Sequence, residues 1–198
     1  MKTDRLFNRF FNCIEQITPL TESDKQLCRT YFEVAEFPKN TLIEKAGTIH
    51  LYQNFVLEGY LRKFKLDDRA QDITIDINTK PCFFTSYNAM MERTISDENI
   101  EAVTDSVLLR IKRNDIDILL ENSKSIHTYT VLLFQKVITE RSQQIYDFAN
   151  SSAKDRYLKF QKKHPDLIKN IPLQHIASYL GITPQSLSRI RTEILQQK

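Results

Sequence analysis

The stretch Leu180–Ile194, LGITPQSLSRIRTEI, decides how the rest of the chain is read. It spends one of only three glycines at Gly181, follows with Thr183-Pro184, and ends four residues before the last residue. With the residues before it, LQHIASYLGITPQSLSRIRTEI (173–194) has the spacing of a helix-turn-helix. A first helix over Leu173–Leu180 turns Ile176, Ala177 and Leu180 inward, and the small Ala177 lets a second helix cross closely. Gly181 takes the left-handed conformation that ends a helix without a Cβ clash. Ile182 fills the angle between the helices. Thr183 caps the second helix and Pro184 is its first residue, where a missing N–H costs nothing. Leu187, Ile190 and Ile194 recur at helical spacing toward the core, which leaves Gln185, Ser186, Ser188, Arg189 and Thr192 outward.

That outward face suits a helix entering the major groove, whose first turns meet base edges. Arg189 can grip guanine O6 and N7 with two hydrogen bonds, and Gln185 can do the same to adenine. Thr183, Ser186 and Arg191 are placed for phosphate contacts, with Pro184 and Ser188 on the same face. An αα-hairpin without a DNA role has the same apolar spacing, so charge is the next discriminator. Residues 150–198 hold nine Lys/Arg against three Asp/Glu, +6, out of a total of +3. The remainder, 19 basic against 22 acidic residues, is −3. A basic C-terminal quarter on an acidic body fits a polyanion partner, although a solvated basic surface has the same composition.

Upstream, three patterns follow one another. Residues 4–31 are helical, with Leu6, Phe10, Ile14 and Ile17 in step, a break at Thr18-Pro19, and a new start at TESDKQL capped by Thr21 with Asp24 three residues on. From about Phe37 to Ile111 come short strand-like runs: TLIEK, LYQNFVLEG, YLRKFKL, DITIDI, FFTSY, IEAVTD and SVLLRI. Turns at Ala46-Gly47, Glu58-Gly59 and Asp67-Asp68 recur about every ten residues, the rhythm of an antiparallel roll. From Arg113 to Ala149 there is no proline or glycine, and helical periodicity returns. Val131, Phe134, Ile138, Arg141, Ile145 and Phe148 step by three and four, a seam for a second copy of the helix, interrupted by Arg141. A long helix packed only on its own domain is the alternative.

The expected fold is therefore α+β, in three units. Residues 1–112 form an N-terminal antiparallel β-roll, jelly-roll-like, with flanking helices; 113–149 form a long dimerisation helix; 150–198 form a helical DNA-binding unit. Neither a metal nor a cofactor is expected. Cys13, Cys28 and Cys82 suit no disulfide framework or zinc site, and His50, His127, His164 and His175 are scattered. No glycine-rich phosphate loop or nucleophile elbow suggests an enzyme. No apolar run approaches the roughly 18–20 residues of a membrane helix, and MKTDRLFNRFFNCIEQI resembles no signal peptide, so a cytoplasmic protein without a membrane partner is expected.

On these residues the chain resembles the Crp/Fnr family of bacterial transcription regulators, most specifically in DRYLKFQKKHPDL (155–167) and IASYLGITPQSLSRI (176–190). The resemblance implies a cyclic-nucleotide-binding-type β-roll, a long dimerisation helix, a helix-turn-helix, and a homodimer on palindromic double-stranded DNA. The family's recognition arginine maps onto Arg189 and its acidic base-reading position onto Gln185, while the basic position before it is Pro184 here. The usual wing is not expected, since four residues follow Ile194. Surfaces comparable to the Asp67-Asp68 hairpin tip can touch RNA polymerase in the family, which leaves polymerase open as a partner.

Cyclic-AMP-binding members carry a Gly-Glu pair after an aromatic strand and an Arg-Ser or Arg-Thr pair about ten residues later. Alignment on IEAVTDSVLLRI puts Thr85-Ser86 and Ser96-Asp97 at those places. A carboxylate in place of the guanidinium costs on the order of several kcal/mol, hundreds-fold or more in affinity. The implied effector is then unknown and is not cyclic AMP. Its expected lining is Phe83, Phe84, Thr85, Ser86 and Tyr87, with Ser96 and Asp97; a buried strand of the roll is the alternative for FFTSY. A ligand-sensing module that signals through protein contact, without specific DNA binding, is the other functional class compatible with these patterns.

Overall fold

The computed structural model describes residues 2–79 and 81–196; Met1, Lys80, Gln197 and Lys198 lie outside the described residues. Helix α1 (Lys2–Glu15) buries Leu6, Phe7, Phe10, Phe11 and Ile14 along one stripe. Helix α2 (Glu22–Tyr31) opens with a capping box. The Thr21 hydroxyl accepts the Asp24 N–H at 3.2 Å and the Asp24 carboxylate accepts the Thr21 N–H at 2.9 Å.

Eight strands follow: β1 (Phe32–Phe37), β2 (Leu42–Glu44), β3 (Tyr52–Glu58), β4 (Leu61–Leu66), β5 (Asp72–Ile77), β6 (Cys82–Phe84), β7 (Asn99–Ala102) and β8 (Ser106–Lys112). They pair antiparallel in two four-stranded sheets, β1-β8-β3-β6 and β2-β7-β4-β5. Strand alternation sorts the side chains. Val56, Leu61, Phe84, Ile100, Ala102 and Leu108 pack together between the sheets. Phe55, Leu57, Leu109 and Ile111 pack outward with α1. Two elements differ from the sequence expectation. Strand β1 starts at Phe32, directly after α2, because FEVAEF pairs residue for residue with β8 from Phe32↔Ile111 to Phe37↔Ser106. Within the FFTSY region the strand stops at Phe84, and a short helix α3 (Tyr87–Glu92) begins.

The expected single helix over 113–149 is two helices. The first, α4 (Arg113–Asn122), ends at Ser123, whose backbone is extended and whose hydroxyl caps α5 (Lys124–Asn150) by accepting the Ile126 N–H. The same hydroxyl donates to Asp24 at 2.5 Å, so a contact with α2 fixes the break. The remaining 27 residues span about 40 Å at 1.5 Å per residue, against roughly 50 Å for one unbroken helix over 113–149.

Four helices complete the described chain: α6 (Ala153–Lys163), α7 (Pro165–Asn170), α8 (Leu173–Tyr179) and α9 (Pro184–Gln196). Tyr157, Phe160, Leu167, Ile171, Ile176, Ala177, Leu180, Leu187 and Ile190 form their core. Leu158, whose apolar side chain beside Tyr157 and Phe160 suggests burial, is exposed. Ile77 and Val103 of the roll belong to the same buried cluster, so the C-terminal helices and the roll share one apolar contact.

Candidate nucleic-acid interface

Helix α9 is held at its head by Thr183, whose Oγ accepts the Ser186 N–H at 3.1 Å and whose hydroxyl donates to Ser186 Oγ at 3.0 Å. Gly181 sits at φ +65° between α8 and α9, and the Ile182 N–H donates to the Ala177 carbonyl at 3.0 Å, closing the end of α8. Leu187 and Ile190 are buried and anchor one side of α9. Gln185, Ser188, Arg189 and Thr192 are exposed on the other, with Thr183 and Pro184 exposed at the head. Ser186 is half-buried beneath Thr183, and Arg191 is half-buried on the flank. The helix thus presents an amide, two hydroxyls and a guanidinium together on one solvent-facing side.

An open groove of about 1190 Å³ runs beside that side. Thr183, Pro184, Ser186, Arg189 and Glu193 line it from α9, Ser152, Ala153, Lys154 and Arg156 from the start of α6, and Gln174 and Ser178 from α8. Gln71, Asp72 and Ile73 close its opposite side. Ser152 caps α6 by accepting the Asp155 N–H at 3.1 Å, which sets the first turn that carries Lys154, Asp155 and Arg156. Asp72 is countered by Arg62, which donates to its two oxygens at 3.0 and 2.9 Å and holds its carboxyl below the usual range. A groove that sets Lys154, Arg156 and Arg189 against Asp72 and Glu193, beside a polar helix, can take the phosphate ridge of a strand whose bases the helix meets.

No family model matches the sequence, and no curated protein matches it. Solved structures do. A Crp/Fnr-family protein from Eubacterium rectale superposes with a TM-score of 0.68 at 20% identity, over 90% of this chain and 85% of that one. The c-di-GMP-responsive global regulator CLP of Xanthomonas campestris superposes at 0.69 and 12% identity, over 89% and 93% of the two chains. FixK2 of Bradyrhizobium japonicum gives 0.67 at 16%, over 84% and 85%.

The chain has the Crp/Fnr fold.

Within this Crp/Fnr fold the residues of the expected seam on α5 divide between two directions. Val131, Ile138 and Ile145, seven apart, are exposed at 44%, 64% and 69%, with Leu132 and Tyr146 beside them. Phe134, Arg141 and Phe148 also make contacts within their own chain. The Phe134 ring lies 5.6 Å from Tyr87. Arg141 is ion-paired with Asp76 of β5. Phe148 has the Arg156 guanidinium 5.3 Å from its ring and abuts Gly181. The interruption that Arg141 made in the heptad is thus an ion pair across the chain.

The expected effector lining is also divided, because successive residues of β6 face opposite sides of its sheet. Phe83 points out of the roll into rings of Phe10, Phe55 and Tyr129, at 6.2, 5.0 and 6.3 Å. Phe84 points in, among the residues between the sheets. Tyr87 is packed on α5, and burial pushes its phenol upward. Thr85 donates to the Tyr52 carbonyl at 3.3 Å. Ser96 and Ser86 do come together, with the Ser96 hydroxyl donating to Ser86 Oγ at 3.1 Å. Asp97 is exposed and paired with Lys65 at 2.6 Å. Of the seven, Ser86 and Ser96 meet directly, Phe84 belongs to the core between the sheets, Tyr87 lies on α5, and Phe83 and Asp97 face away from them.

The polar residues inside the roll were missed by sequence reading. Arg110 of β8 donates to Glu44 at 3.0 Å and to Asn54 at 2.8 Å, under the Tyr52 ring at 3.8 Å. Burial raises the Glu44 carboxyl against the opposing pull of Arg110. Lys63 pairs with Glu98 at 3.2 Å and donates to the Thr85 carbonyl at 3.3 Å. The signal was present in SVLLRI: alternation puts Arg110 on the same side as the buried Leu108, a charge at an inward strand position.

Proposed function

We propose that this chain is a transcription regulator that binds double-stranded DNA as a homodimer and reads a two-fold operator with α9. One observation carries the reading: Gln185, Ser188, Arg189 and Thr192 stand exposed on one side of α9, beside a groove lined by Lys154, Arg156 and Arg189, while Leu187 and Ile190 hold the other side in the core. Arg189 and Gln185 meet base edges; Thr183, Ser186 and Arg191 serve phosphates, with Pro184 lining the groove and Ser188 on the exposed side beside Gln185 and Arg189. The exposed stripe Val131, Ile138 and Ile145 packs against its copy, placing two reading helices about 34 Å apart along one face of the duplex.

The protein works in the cytoplasm as a regulator rather than an enzyme. The exposed hairpin tip at Asp67–Arg69 is the surface available to RNA polymerase. Its effector is not cyclic AMP, because the internal cations Lys63 and Arg110 are already paired with Glu98 and Glu44, and Ser96-Asp97 supplies no guanidinium. A different small polar effector would meet Asn54 Nδ2 and His50 Nδ1, buried and without hydrogen-bond partners.

Selection of bound duplexes from a random pool tests the reading. A two-fold symmetric consensus is expected, and Arg189→Ala then relaxes preference at one position per half-site, costing about 1–3 kcal/mol. Recovery of no enriched sequence, or an unchanged preference in Arg189→Ala, would overturn it in favour of signalling through protein contact.

A further inference from the structure

Besides the apolar contact with Val103 and Tyr60 of the roll, the α6–α9 unit is held at two polar attachments. The first is the end of α5. Lys159 donates to Asp147 at 2.6 Å, Arg156 donates to the Ser151 carbonyl at 2.7 Å, and Phe148 lies against Arg156 and Gly181. Only Ser151 and Ser152 join the two helices, so this attachment alone is a pivot, of the kind in which a few element-terminal residues absorb a change of angle.

The second attachment is β5. It is the edge strand of the sheet β2-β7-β4-β5, and an edge leaves backbone groups unpaired unless something covers them. Here α8 covers it: the Thr74 N–H donates to Ser178 Oγ at 2.8 Å. Ile77, from the end of the same strand, is buried with Ile176 and Ala177 of α8. Asp76, between them, takes the Arg141 guanidinium from α5, and the Tyr179 phenol at the end of α8 lies in the field of both charges. One strand therefore touches both the long helix and the first helix of the reading unit.

We infer that β5 is the positioning element of the reading head. The Thr74–Ser178 hydrogen bond and the Asp76–Arg141 pair stop rotation about the Ser151–Ser152 joint and so set the distance and angle between the two recognition helices of a dimer. This rests on the DNA-reading function proposed above. Its consequence concerns half-site spacing. One inserted base pair moves a half-site by about 3.4 Å along the axis and by roughly a tenth of a turn around it, which a head fixed at two points cannot follow.

The test uses the full chain as wild type, as the double variant Ile77→Ala/Arg141→Gln, which opens the β5–α8 contact and the β5–α5 pair without touching the groove, and as the conservative Arg141→Lys. Each is titrated with the selected operator, with operators carrying one base pair more or fewer between half-sites, and with a single half-site. Wild type is expected to lose about tenfold or more in affinity on a one-base-pair change, the double variant about threefold or less, with half-site affinity unchanged and Arg141→Lys close to wild type. A variant that is merely destabilised loses affinity for every duplex in the same proportion, and that result overturns the inference, as does an unaltered spacing preference. A second readout needs no DNA. The distance distribution between spin labels introduced at Asp68 and Thr192 through an unnatural amino acid should widen in the double variant; an unchanged distribution overturns the inference whether or not any duplex binds, whereas a widened one with no bound duplex overturns only the DNA-reading function.

Discussion

Gly181→Ala puts the turn of the helix-turn-helix to a quantitative test. At φ +65° the residue occupies the left-handed region, which costs an alanine about 1–2 kcal/mol. Alanine also narrows the unfolded ensemble, which returns about 0.4–1 kcal/mol, so the backbone alone leaves a net loss on the order of 1 kcal/mol. Space decides the rest. A Cβ built at this position lies 2.9 Å from Phe148 Cε1, closer than real Cβ contacts, so the ring must move. The ring is 41% exposed and has room to turn, but it sits against the Arg156 guanidinium, a contact worth about 0.5–1 kcal/mol at such a site. Together these predict a loss of about 1.5–2 kcal/mol, measured as a lowered urea midpoint at constant slope. In the background Phe148→Ala the steric part disappears, and the cycle should return a coupling of about 0.5–1 kcal/mol. A Gly181→Ala protein as stable as wild type would refute both the left-handed turn and the packing of Phe148 beneath it; full loss without coupling would refute only the packing.

Two further outcomes are expected. Ile145 is 69% exposed on α5, and covering that surface in a two-fold contact is worth about 1–2 kcal/mol per copy, so Ile145→Asp should weaken dimerisation by roughly a hundredfold or more in sedimentation equilibrium; an unchanged dimer constant removes Ile145 from the interface. His175 of α8 is buried near Arg62, and burial first, then that guanidinium, lowers its pKa from 6.5. The folded state therefore holds fewer protons than the unfolded state below about pH 6.5, and stability falls as the pH drops toward the folded pKa. His50, also lowered by burial, acts in the same direction, so His175→Gln should flatten only part of the decline in urea midpoint between about pH 7.5 and 5.5. An identical slope in the variant would show that His175 does not carry the effect.

The helix-turn-helix was legible because its signals are local. Cap, proline, glycine and apolar spacing all fall within residues 173–194, and each acts on its own backbone neighbourhood. The strand rhythm of the roll was legible for the same reason, since alternation and turn residues are short-range properties. Strand β1 was less so, because FEVAEF follows a helix directly and only its partner β8, some seventy residues away, makes it a strand. The division of α4 from α5 had no glycine or proline to mark it; Ser123 breaks the helix through its bond to Asp24, 99 residues earlier.

By itself, then, the sequence determined the order of the parts and the outward chemistry of α9, since these follow from side-chain periodicity and capping along one segment. Only the tertiary structure decided which side of α5 remains uncovered, which of Phe83 and Phe84 faces the roll interior, and how α8 is seated on β5. Each of those depends on a pairing between residues far apart in the chain, such as Asp76 with Arg141 or Thr74 with Ser178. Local pattern says that a helix has an apolar side or a cation, and burial against a particular neighbour settles what that side or cation meets.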